Sequence, residues 1–311
     1  MKITVIVPVF NERESLAALA EGVAGSVGPH EYRILFVDDG STDGSFEVMR
    51  ALRDRYDTID IIRFRANFGK SAALAAGFAK AEGDVVFTMD ADLQDEPREI
   101  PRFLDKLDEG YDVVAGWKRQ RQDPWHKTIP SQVYNGVVAR VFRLPLHDVN
   151  CGFKAYRAEV VKNVRVYGEL HRLIPVLAAR LGYRVGEIPV SHRPRRFGKS
   201  KYGPERFTRG AMDVLSVWFL TRHRHCPGHF FGNIGFAAVG LGIFGLVCGA
   251  GAVLTGATVP GALAGLAGVG LTMGGLLTLG LGLIAELVIR QHPHIHLDRY
   301  IAEQHFGKPK R

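Results

Sequence analysis

Short runs of β-branched and aromatic residues alternate with helical patterns over residues 1–116. Five such runs predict buried strands, at residues 3–7, 33–37, 59–64, 85–89 and 112–115. The segments between them are long enough for helices, most clearly at residues 70–81 and 97–107. This alternation indicates an α/β fold with a mostly parallel sheet and right-handed crossovers. Such sheets bind ligands at the carboxyl ends of their strands, which is where we look for function.

The pattern continues less regularly to about residue 203. Helices are predicted at residues 131–142 and 169–181, and strands at residues 152–156 and 183–190. Residues 117–130 carry charge, two prolines and no clean period, which favours a loop over the site. Asn11, with Glu12 and Glu14 after it, is predicted to cap the first helix.

An uncharged apolar stretch runs from Phe230 to Ala285. It is long enough for two membrane-spanning helices, at about residues 231–254 and 261–289. Basic residues flank both outer ends, so the positive-inside rule places both termini in the cytoplasm. The spans are rich in glycine, which predicts close helix packing within the chain or between chains of a homo-oligomer. Glu286 is expected to snorkel or to pair with Arg290.

Composition and charge narrow the possible classes of protein. Of the 311 residues, 46% are hydrophobic and 23% charged, which excludes bulk disorder, collagen and a coiled-coil rod. Residues 191–227 hold nine basic and two acidic side chains, nearly the whole formal excess of +8. Next to a span, this basic block indicates anionic lipid rather than nucleic acid, for which no binding module is visible. The apolar stripe within residues 204–220, formed by Phe207, Ala211, Val214, Leu215 and Trp218, either packs on the soluble domain or lies in the membrane interface. The span that follows directly favours the interface.

The cysteines and the N-terminus give no sign of secretion. The three cysteines are Cys151, Cys226 and Cys248, and their number and spacing imply neither a disulfide framework nor a zinc site. The N-terminal run is too short for a signal peptide and contains Pro8, so the soluble part is expected in the cytoplasm, at the inner face of the cell membrane.

Acidic residues follow two of the predicted strands. Asp90 and Asp92 come after the fourth strand, and carboxylates at i and i+2 can share one Mg²⁺ or Mn²⁺ ion that also holds a phosphate. Asp39 follows the second strand, where a carboxylate can meet a base or ribose, while Ser41 or Asp43 is expected to cap the next helix. The alternative for Asp90 and Asp92 is a solvated turn with a helix cap, and the alternative for the segment after Asp39 is that it only caps the helix through Thr42 or Asp43.

The segment around Lys70 precedes a helix N-terminus, which favours anions. Its spacing is not that of a Walker A loop, and no dinucleotide fingerprint follows the first strand. Kinase, nucleoside-triphosphatase and dehydrogenase functions lose their main support.

Seven motifs occur in order along the chain: VIVPVFNE, VDDGSTD, RANFGKSAA, DADLQDEP, GWKRQR, HDVNCGFKAYR and HRPRRFGKSKYG. Together they resemble the family 2 glycosyltransferases of GT-A fold, and more narrowly the polyprenyl-phosphate group that includes dolichyl-phosphate mannose synthase and bacterial undecaprenyl-phosphate sugar transferases. The resemblance covers about residues 3–220. It implies a GT-A domain at residues 1–203, a juxtamembrane segment at 204–228, two spans within 229–290 and a cytoplasmic tail at 291–311.

The resemblance also implies a division of labour among the motifs. Asp90, Asp92 and Gln94 would bind the metal and the donor diphosphate. The nucleotide would be held by Pro8, Asn11, Glu12, Asp39, Lys70 and Asp90. Cations near the phosphates would be Lys118, Arg119 and Arg121. The acceptor phosphate would be held by Ser131, Arg195, Arg196, Lys199 and Lys201. The candidate catalytic residues are Asp92, Arg119, Arg121 and Asp148.

The resemblance therefore implies metal-dependent, inverting transfer of one sugar from a nucleotide-sugar to a polyprenyl phosphate, for cell-envelope glycan or protein glycosylation. A phosphate monoester is largely dianionic at neutral pH, because its second pKa is about 6, so a strong base is dispensable. Asp148 is therefore either a base or a structural residue. The alternatives are another lipid acceptor such as diacylglycerol, or a non-catalytic module that binds nucleotide-sugar. The sugar stays open among UDP-glucose, GDP-mannose and UDP-N-acetylglucosamine.

Overall fold

The computed structural model describes residues 1–119, 125–194, 206–223 and 226–291. The chain divides into two compact units, Met1–Trp218 and Phe219–Arg311. The first unit is an α/β domain and the second contains two long apolar helices.

Within the described residues, seven strands form one sheet in the order β3-β2-β1-β4-β6-β5-β7. All neighbours are parallel except β6, which runs antiparallel to both β4 and β5. The predicted mostly parallel α/β fold is therefore confirmed. The strands are β1 (Lys2–Val9), β2 (Glu31–Asp38), β3 (Ile59–Arg63), β4 (Val85–Thr88), β5 (Val113–Trp117), β6 (Lys154–Arg157) and β7 (Val185–Pro189).

Ten α-helices accompany these strands in the described ranges. They are α1 (Leu16–Ala24), α2 (Ser45–Arg55), α3 (Lys70–Lys80), α4 (Ile100–Asp108), α5 (Trp125–Phe142), α6 (Ala158–Asn163), α7 (Ile174–Arg180), α8 (Arg206–Arg222), α9 (Pro227–Leu254) and α10 (Thr258–Gln291). Short 3-10 turns at Pro97–Glu99 and Leu170–Leu173 lead into α4 and α7.

The core lies on both faces of the sheet, because successive strand side chains point to opposite sides. Phe36 and Phe87 belong to the cluster on one face, and Leu35 and Val86 to the cluster on the other. Each fully buried Phe side chain contributes about 1.5–3 kcal/mol relative to an exposed one. This double burial holds the strand ends rigidly, which is what a site at their edge requires.

Two local predictions are wrong. Helix α1 begins at Leu16, so Asn11 is not its cap; Asn11 has a left-handed φ of 55° and turns the chain at the end of β1. Helix α5 begins at Trp125, six residues before the predicted start, although the segment contains Pro130. A proline removes only one intrahelical hydrogen bond near a helix start, so charge and proline were poor guides to a loop here.

Helix α8 packs partly on the first unit. Val214 and Val217 are buried in a third cluster with Val138 and Phe142 of α5. Of the predicted stripe, Val214 is thus buried in the domain core and Trp218 packs against the same cluster, as the alternative placement on the soluble domain predicts. Leu215 stays exposed, and Phe207 and Ala211 lie outside the side chains that the structure describes.

Helices α9 and α10 are long and apolar enough to cross a membrane, by length and composition. They pack through glycines spaced seven residues apart. A Cβ on Gly242 of α9 would lie 2.7 Å from the carbonyl oxygen of Gly268, and one on Gly249 would lie 2.7 Å from that of Gly261. These glycine faces are therefore used within the chain, and they do not support a homo-oligomer built on the spans.

Glu286 joins the ends of the same two helices. Its Oε2 accepts a hydrogen bond of 3.4 Å from the backbone N–H of Gly228, in the first turn of α9. A carboxylate at a helix N-terminus satisfies a backbone donor and favours the helix dipole. The expected partner, Arg290, has a side chain outside those that the structure describes.

Candidate active site

Asp90 lies just beyond β4, at the edge where the parallel strands end. Its carboxylate forms an ion pair with Lys70, the first residue of α3. Desolvation raises the pKa of Asp90, but the charge of Lys70 outweighs it, and the pKa lies well below its ordinary value. Gly152 permits this placement, because a Cβ there would lie 2.5 Å from Asp90 Oδ2. The Asp90 carboxylate is therefore ionised and is held against the turn of residues 150–152.

Asp92 stands next to it and is only 8% exposed. Its Oδ1 accepts a hydrogen bond of 3.2 Å from the backbone N–H of Gln94. The described residues contain no group of three His, Cys, Asp or Glu side chains that could hold a metal. Two carboxylates on one turn suit Mg²⁺ or Mn²⁺, since such ions take one or two protein carboxylates and complete their shell with water and substrate phosphate. The donor set therefore fits the expected metal.

Lys118, at the end of β5, is anchored by Asp95. The two charged atoms are 2.8 Å apart, and the side chain of Asp95 is fully buried. Although burial lowers the pKa of Lys118, the nearby carboxylates raise it further, so the ammonium is permanently charged. This pair joins the Asp90–Asp95 turn to the β5 loop, which carries the exposed Arg119.

Asp39 ties together two loops at the ends of β2 and β3. Its carboxylate accepts hydrogen bonds from the backbone N–H groups of Phe68 and Gly69, at 2.7 and 2.9 Å. Burial raises its pKa, and these two bonds act in the opposite direction. Asp39 thus shapes the 65–69 loop before α3. An ionised carboxylate has about four acceptor sites, so it can also accept from a base.

The segment after β1 joins the same edge. The side-chain oxygen of Asn11 accepts from the backbone N–H of Thr42 at 2.8 Å, and its own backbone N–H donates to Ser41 Oγ at 3.0 Å. Pro8 and Glu12 flank it, both half-buried. The structure thus brings four of the six predicted nucleotide residues, Pro8, Asn11, Glu12 and Asp39, to one edge. Asp43 Oδ1 accepts a hydrogen bond of 3.0 Å from the backbone N–H of Ser45, the first residue of α2. The N-cap of α2 is Gly44, so the predicted cap at Ser41 or Asp43 is wrong.

Asp148 lies on the other side of the site and is 1% exposed. The amide of Asn135 on α5 donates to it at 3.3 Å, and Asn150 in turn donates to Asn135 at 3.2 Å. Ser131, one turn earlier on α5, is also buried. The neighbouring residue His147 donates its backbone N–H to the carboxylate of Glu187 on β7 at 2.8 Å. The Nδ1 atom of its ring also hydrogen-bonds this carboxylate.

A cavity of about 750 Å³ lies between the end of β5, helix α5 and the segment of residues 145–148. One wall is the stacked pair Trp117 and His147, with ring centroids 4.2 Å apart and planes at 16°. Its volume is within the usual range for small-molecule sites, roughly 300–1,000 Å³. The cavity is lined by Trp117, Lys118, Arg119, Thr128, Gln132, Asn135, Gly136, Ala139, Pro145, Leu146, His147 and Asp148.

Sequence reasoning missed several buried polar residues beneath the site. Lys154, the first residue of β6, is 3% exposed and donates to the carbonyl of Cys151. Burial lowers its pKa to about 8. Ser71 and His171 are also buried, and Ser71 Oγ lies 2.9 Å from His171 Nδ1. Burial, Lys70 and Arg172 hold the pKa of His171 well below its usual value. In a sequence, a lysine within a strand pattern or a histidine within a helix pattern gives no sign that its side chain will be buried and hydrogen-bonded.

Five predicted site residues lie outside the described ranges. They are Arg121, Arg195, Arg196, Lys199 and Lys201. Their predicted roles at the donor and acceptor phosphates stay predictions.

The fold is that of known sugar-transferring enzymes. Glucosyl-3-phosphoglycerate synthase from Mycobacterium tuberculosis, solved with Mn²⁺, UDP and glucosyl-3-phosphoglycerate, matches with a TM-score of 0.56 over 71% of this chain and 79% of that one. The structure of the same enzyme with Mn²⁺, UDP-glucose and phosphoglyceric acid matches with a TM-score of 0.55 over 70% and 79% of the two chains. Sequence identity is 18% and 17%, so this likeness concerns the GT-A fold alone.

The sequence comparisons go further. Residues 4–165 match the model of glycosyl transferase family 2. Dodecaprenyl-phosphate galacturonate synthase of Rhizobium johnstonii is 38% identical over 79% of this chain and 74% of its own length. Undecaprenyl-phosphate 4-deoxy-4-formamido-L-arabinose transferase of Edwardsiella ictaluri is 36% identical over 76% and 74%. The chain belongs to glycosyl transferase family 2, and it is an enzyme.

Proposed function

We propose that this glycosyltransferase moves one sugar from a nucleotide-sugar to a polyprenyl phosphate. The observation that carries the proposal is the cavity lined by helix α5 and Asp148, with the cations Lys118 and Arg119 on its wall. Lys118 also pairs with Asp95, three residues after Asp92. Both relatives named above are polyprenyl-phosphate sugar transferases or synthases, and they match most of the chain. The apolar helices α9 and α10 supply membrane anchorage, which suits a lipid acceptor.

The donor diphosphate is assigned to the edge around Asp92. A divalent metal held by Asp90, Asp92 and Gln94 would offset charge on the departing nucleoside diphosphate. Lys70 provides a second positive group there, since its ammonium already pairs with Asp90. Titration of the transfer activity with Mg²⁺ and with Mn²⁺ identifies the ion that the enzyme uses. Pro8, Asn11, Glu12 and Asp39 are assigned to the nucleotide because they share one sheet edge.

The acceptor phosphate is assigned to the other side of the cavity. Arg119 lines it, and no carboxylate of the described residues forms an ion pair with this guanidinium, so its charge is available to a phosphate. Ser131 and the basic residues Arg195, Arg196, Lys199 and Lys201 are assigned to the same phosphate. Attack by a phosphate dianion from the face opposite the leaving group would invert the anomeric centre. Asp148 then orients the acceptor rather than removing a proton.

The proposed topology places the domain of residues 1–203 and both chain ends in the cytoplasm. The basic residues Arg222 and Arg290 flank the apolar helices, and their connection carries no charge, as the positive-inside rule requires. Cysteine labelling of intact cells tests this. A cysteine placed at Thr255 should react with an impermeant reagent, and one placed at Asp57 should not.

A donor screen tests the reaction. Full-length protein in detergent is given labelled UDP- and GDP-sugars, undecaprenyl phosphate and Mg²⁺ or Mn²⁺. One donor should label the organic phase, and EDTA should abolish the signal. Binding of nucleotide-sugar with no lipid product from any donor would contradict the proposal.

A further inference from the structure

Gly136 occupies an unusual place in helix α5. It lies in the middle of an 18-residue helix, where glycine is the least favourable residue except proline. Among the residues that the structure describes, no heavy atom lies within 4 Å of a Cβ placed on it, setting aside its chain neighbours and the helix backbone. Close packing among the described groups therefore does not explain the glycine, in contrast to Gly152 or Gly242.

The space beyond Gly136 is the cavity of the active site. Gln132, Asn135, Gly136 and Ala139 line it and share one helix face, since they are spaced at i, i+3, i+4 and i+7. This face changes character along its length of about 10 Å, from a polar amide at Gln132 to a methyl group at Ala139. The segment of residues 145–148 also lines the cavity and changes in the same way, from the apolar Pro145 and Leu146 to the polar His147 and Asp148.

The cavity is therefore amphipathic. Its lining includes the cationic and hydrogen-bonding groups of Arg119, Asn135 and Asp148. It also includes the small or apolar residues Gly136, Ala139 and Leu146, which we call the apolar trough. The hydroxyl groups around the edge of a sugar ring would lack hydrogen-bond partners against the trough. A phosphate ester whose first carbons are apolar and branched matches both parts.

We propose that Gly136 is a specificity-determining residue, whose missing side chain makes room for the first isoprene unit of the lipid acceptor. This inference rests on the proposed function. The backbone of α5 can approach the ligand closely only because Gly136 has no Cβ. The phosphate lies toward Arg119 and Asp148, and the first isoprene unit lies over the trough.

The test compares Gly136→Leu, Gly136→Ala and the wild type, with Val137→Leu as the matched control. Val137 is the next residue on α5, is 46% exposed and does not line the cavity. Full-length enzyme in detergent is assayed with farnesyl phosphate and with n-dodecyl phosphate, which lacks the methyl branches. Donor KM is measured in parallel.

The apparent KM for farnesyl phosphate should rise about tenfold or more in Gly136→Leu, as a filled apolar pocket predicts, and by less in Gly136→Ala. The KM for n-dodecyl phosphate should rise less, and the donor KM and the Val137→Leu kinetics should stay unchanged. The graded alanine variant keeps the test decisive if Gly136→Leu does not fold.

Three results would overturn the proposal. An unchanged KM for farnesyl phosphate would remove the subsite while leaving the proposed function intact. A rise in donor KM alone would assign the trough to the transferred sugar. No transfer to any polyprenyl phosphate by the wild type would instead overturn the proposed function, and the subsite with it.

Discussion

Ser71 and His171 are 100 residues apart in the chain, yet they share two hydrogen bonds beneath the active site. Ser71 Oγ lies 2.9 Å from His171 Nδ1, and the backbone N–H of His171 donates to the same oxygen at 3.2 Å. Ser71 follows Lys70, which pairs with Asp90. The contact therefore fixes the start of α3, and with it the cation that pairs with Asp90.

Replacing His171 should reduce turnover without unfolding the protein. We expect His171→Phe to lower kcat by roughly 10- to 100-fold, as loss of a group that orients metal-site residues does. His171→Asn should recover part of this loss, because its amide oxygen can accept from Ser71. The metal concentration for half-maximal activity, measured alongside kcat, should rise in the phenylalanine variant. Equal effects of both substitutions would indicate a purely structural role.

Asp92→Asn should abolish most transfer, by at least about 100-fold, because it removes a charged oxygen ligand from the proposed metal site. Asp54→Asn, at an exposed position of α2, is the control. The measurement is Mn²⁺-dependent binding of UDP or GDP by calorimetry, together with transfer. Undiminished metal-dependent binding in Asp92→Asn would remove this residue from the metal site.

Asp148→Asn should keep measurable transfer to a phosphate acceptor. The acceptor is largely ionised at neutral pH, so the carboxylate is needed for orientation and not for proton removal. We expect kcat to fall on the order of 10-fold, and Asn135→Ala, which removes the amide that holds Asp148, to have a similar effect. Complete loss in Asp148→Asn would favour a hydroxyl acceptor, such as diacylglycerol.

Lys154 should make stability depend on alkaline pH. Its pKa of about 8 in the folded protein lies below the ordinary 10.5. Below pH 8 the burial of a charged ammonium costs stability, and above pH 10.5 the group is neutral in both states, so the cost disappears. The shift corresponds to on the order of 3 kcal/mol, at about 1.36 kcal/mol per pKa unit.

The measurement for Lys154 is a comparison of Tm with Lys154→Met across this range. The Tm of the variant relative to the wild type should be highest at pH 7–8 and should fall as the pH rises toward 10.5. A constant difference between the two proteins would show that the ammonium is not desolvated.

Gly242→Val should destabilise the pair of apolar helices, because a Cβ at this position would lie 2.6 Å from the backbone nitrogen of Thr272. Gly240→Val is the matched control, since a Cβ there meets no described heavy atom within 4 Å. The readout is the Tm and the yield of monodisperse protein in detergent. Equal behaviour of the two variants would contradict the glycine packing.

The alternating pattern predicted the sheet because each strand is buried on both faces and reads as a continuous apolar run. It also placed Asp39, Asp90 and Asp92 correctly at the carboxyl edge, where parallel strands end together. The contacts of Asp39 could not be predicted, because its partners are backbone N–H groups about 30 residues away, and every residue except proline carries one.

Other parts of the site depend on packing rather than on pattern. Lys154 and His171 lie in ordinary strand and helix sequence, and only the meeting of β6, α3 and the turn before α7 buries them. The early start of α5 was missed because the hydrophobic period is weak there, yet this helix supplies one wall of the cavity. Tertiary contacts override local signals at both places.

The most direct test of the account is the identity of the product. Full-length enzyme is incubated with the donor selected in the screen, undecaprenyl phosphate and Mn²⁺, and the organic phase is analysed by mass spectrometry. The account predicts one new species, undecaprenyl phosphate carrying a single sugar, absent with Asp92→Asn. A sugar attached to a different lipid, or released only as free sugar, would contradict transfer to a polyprenyl phosphate.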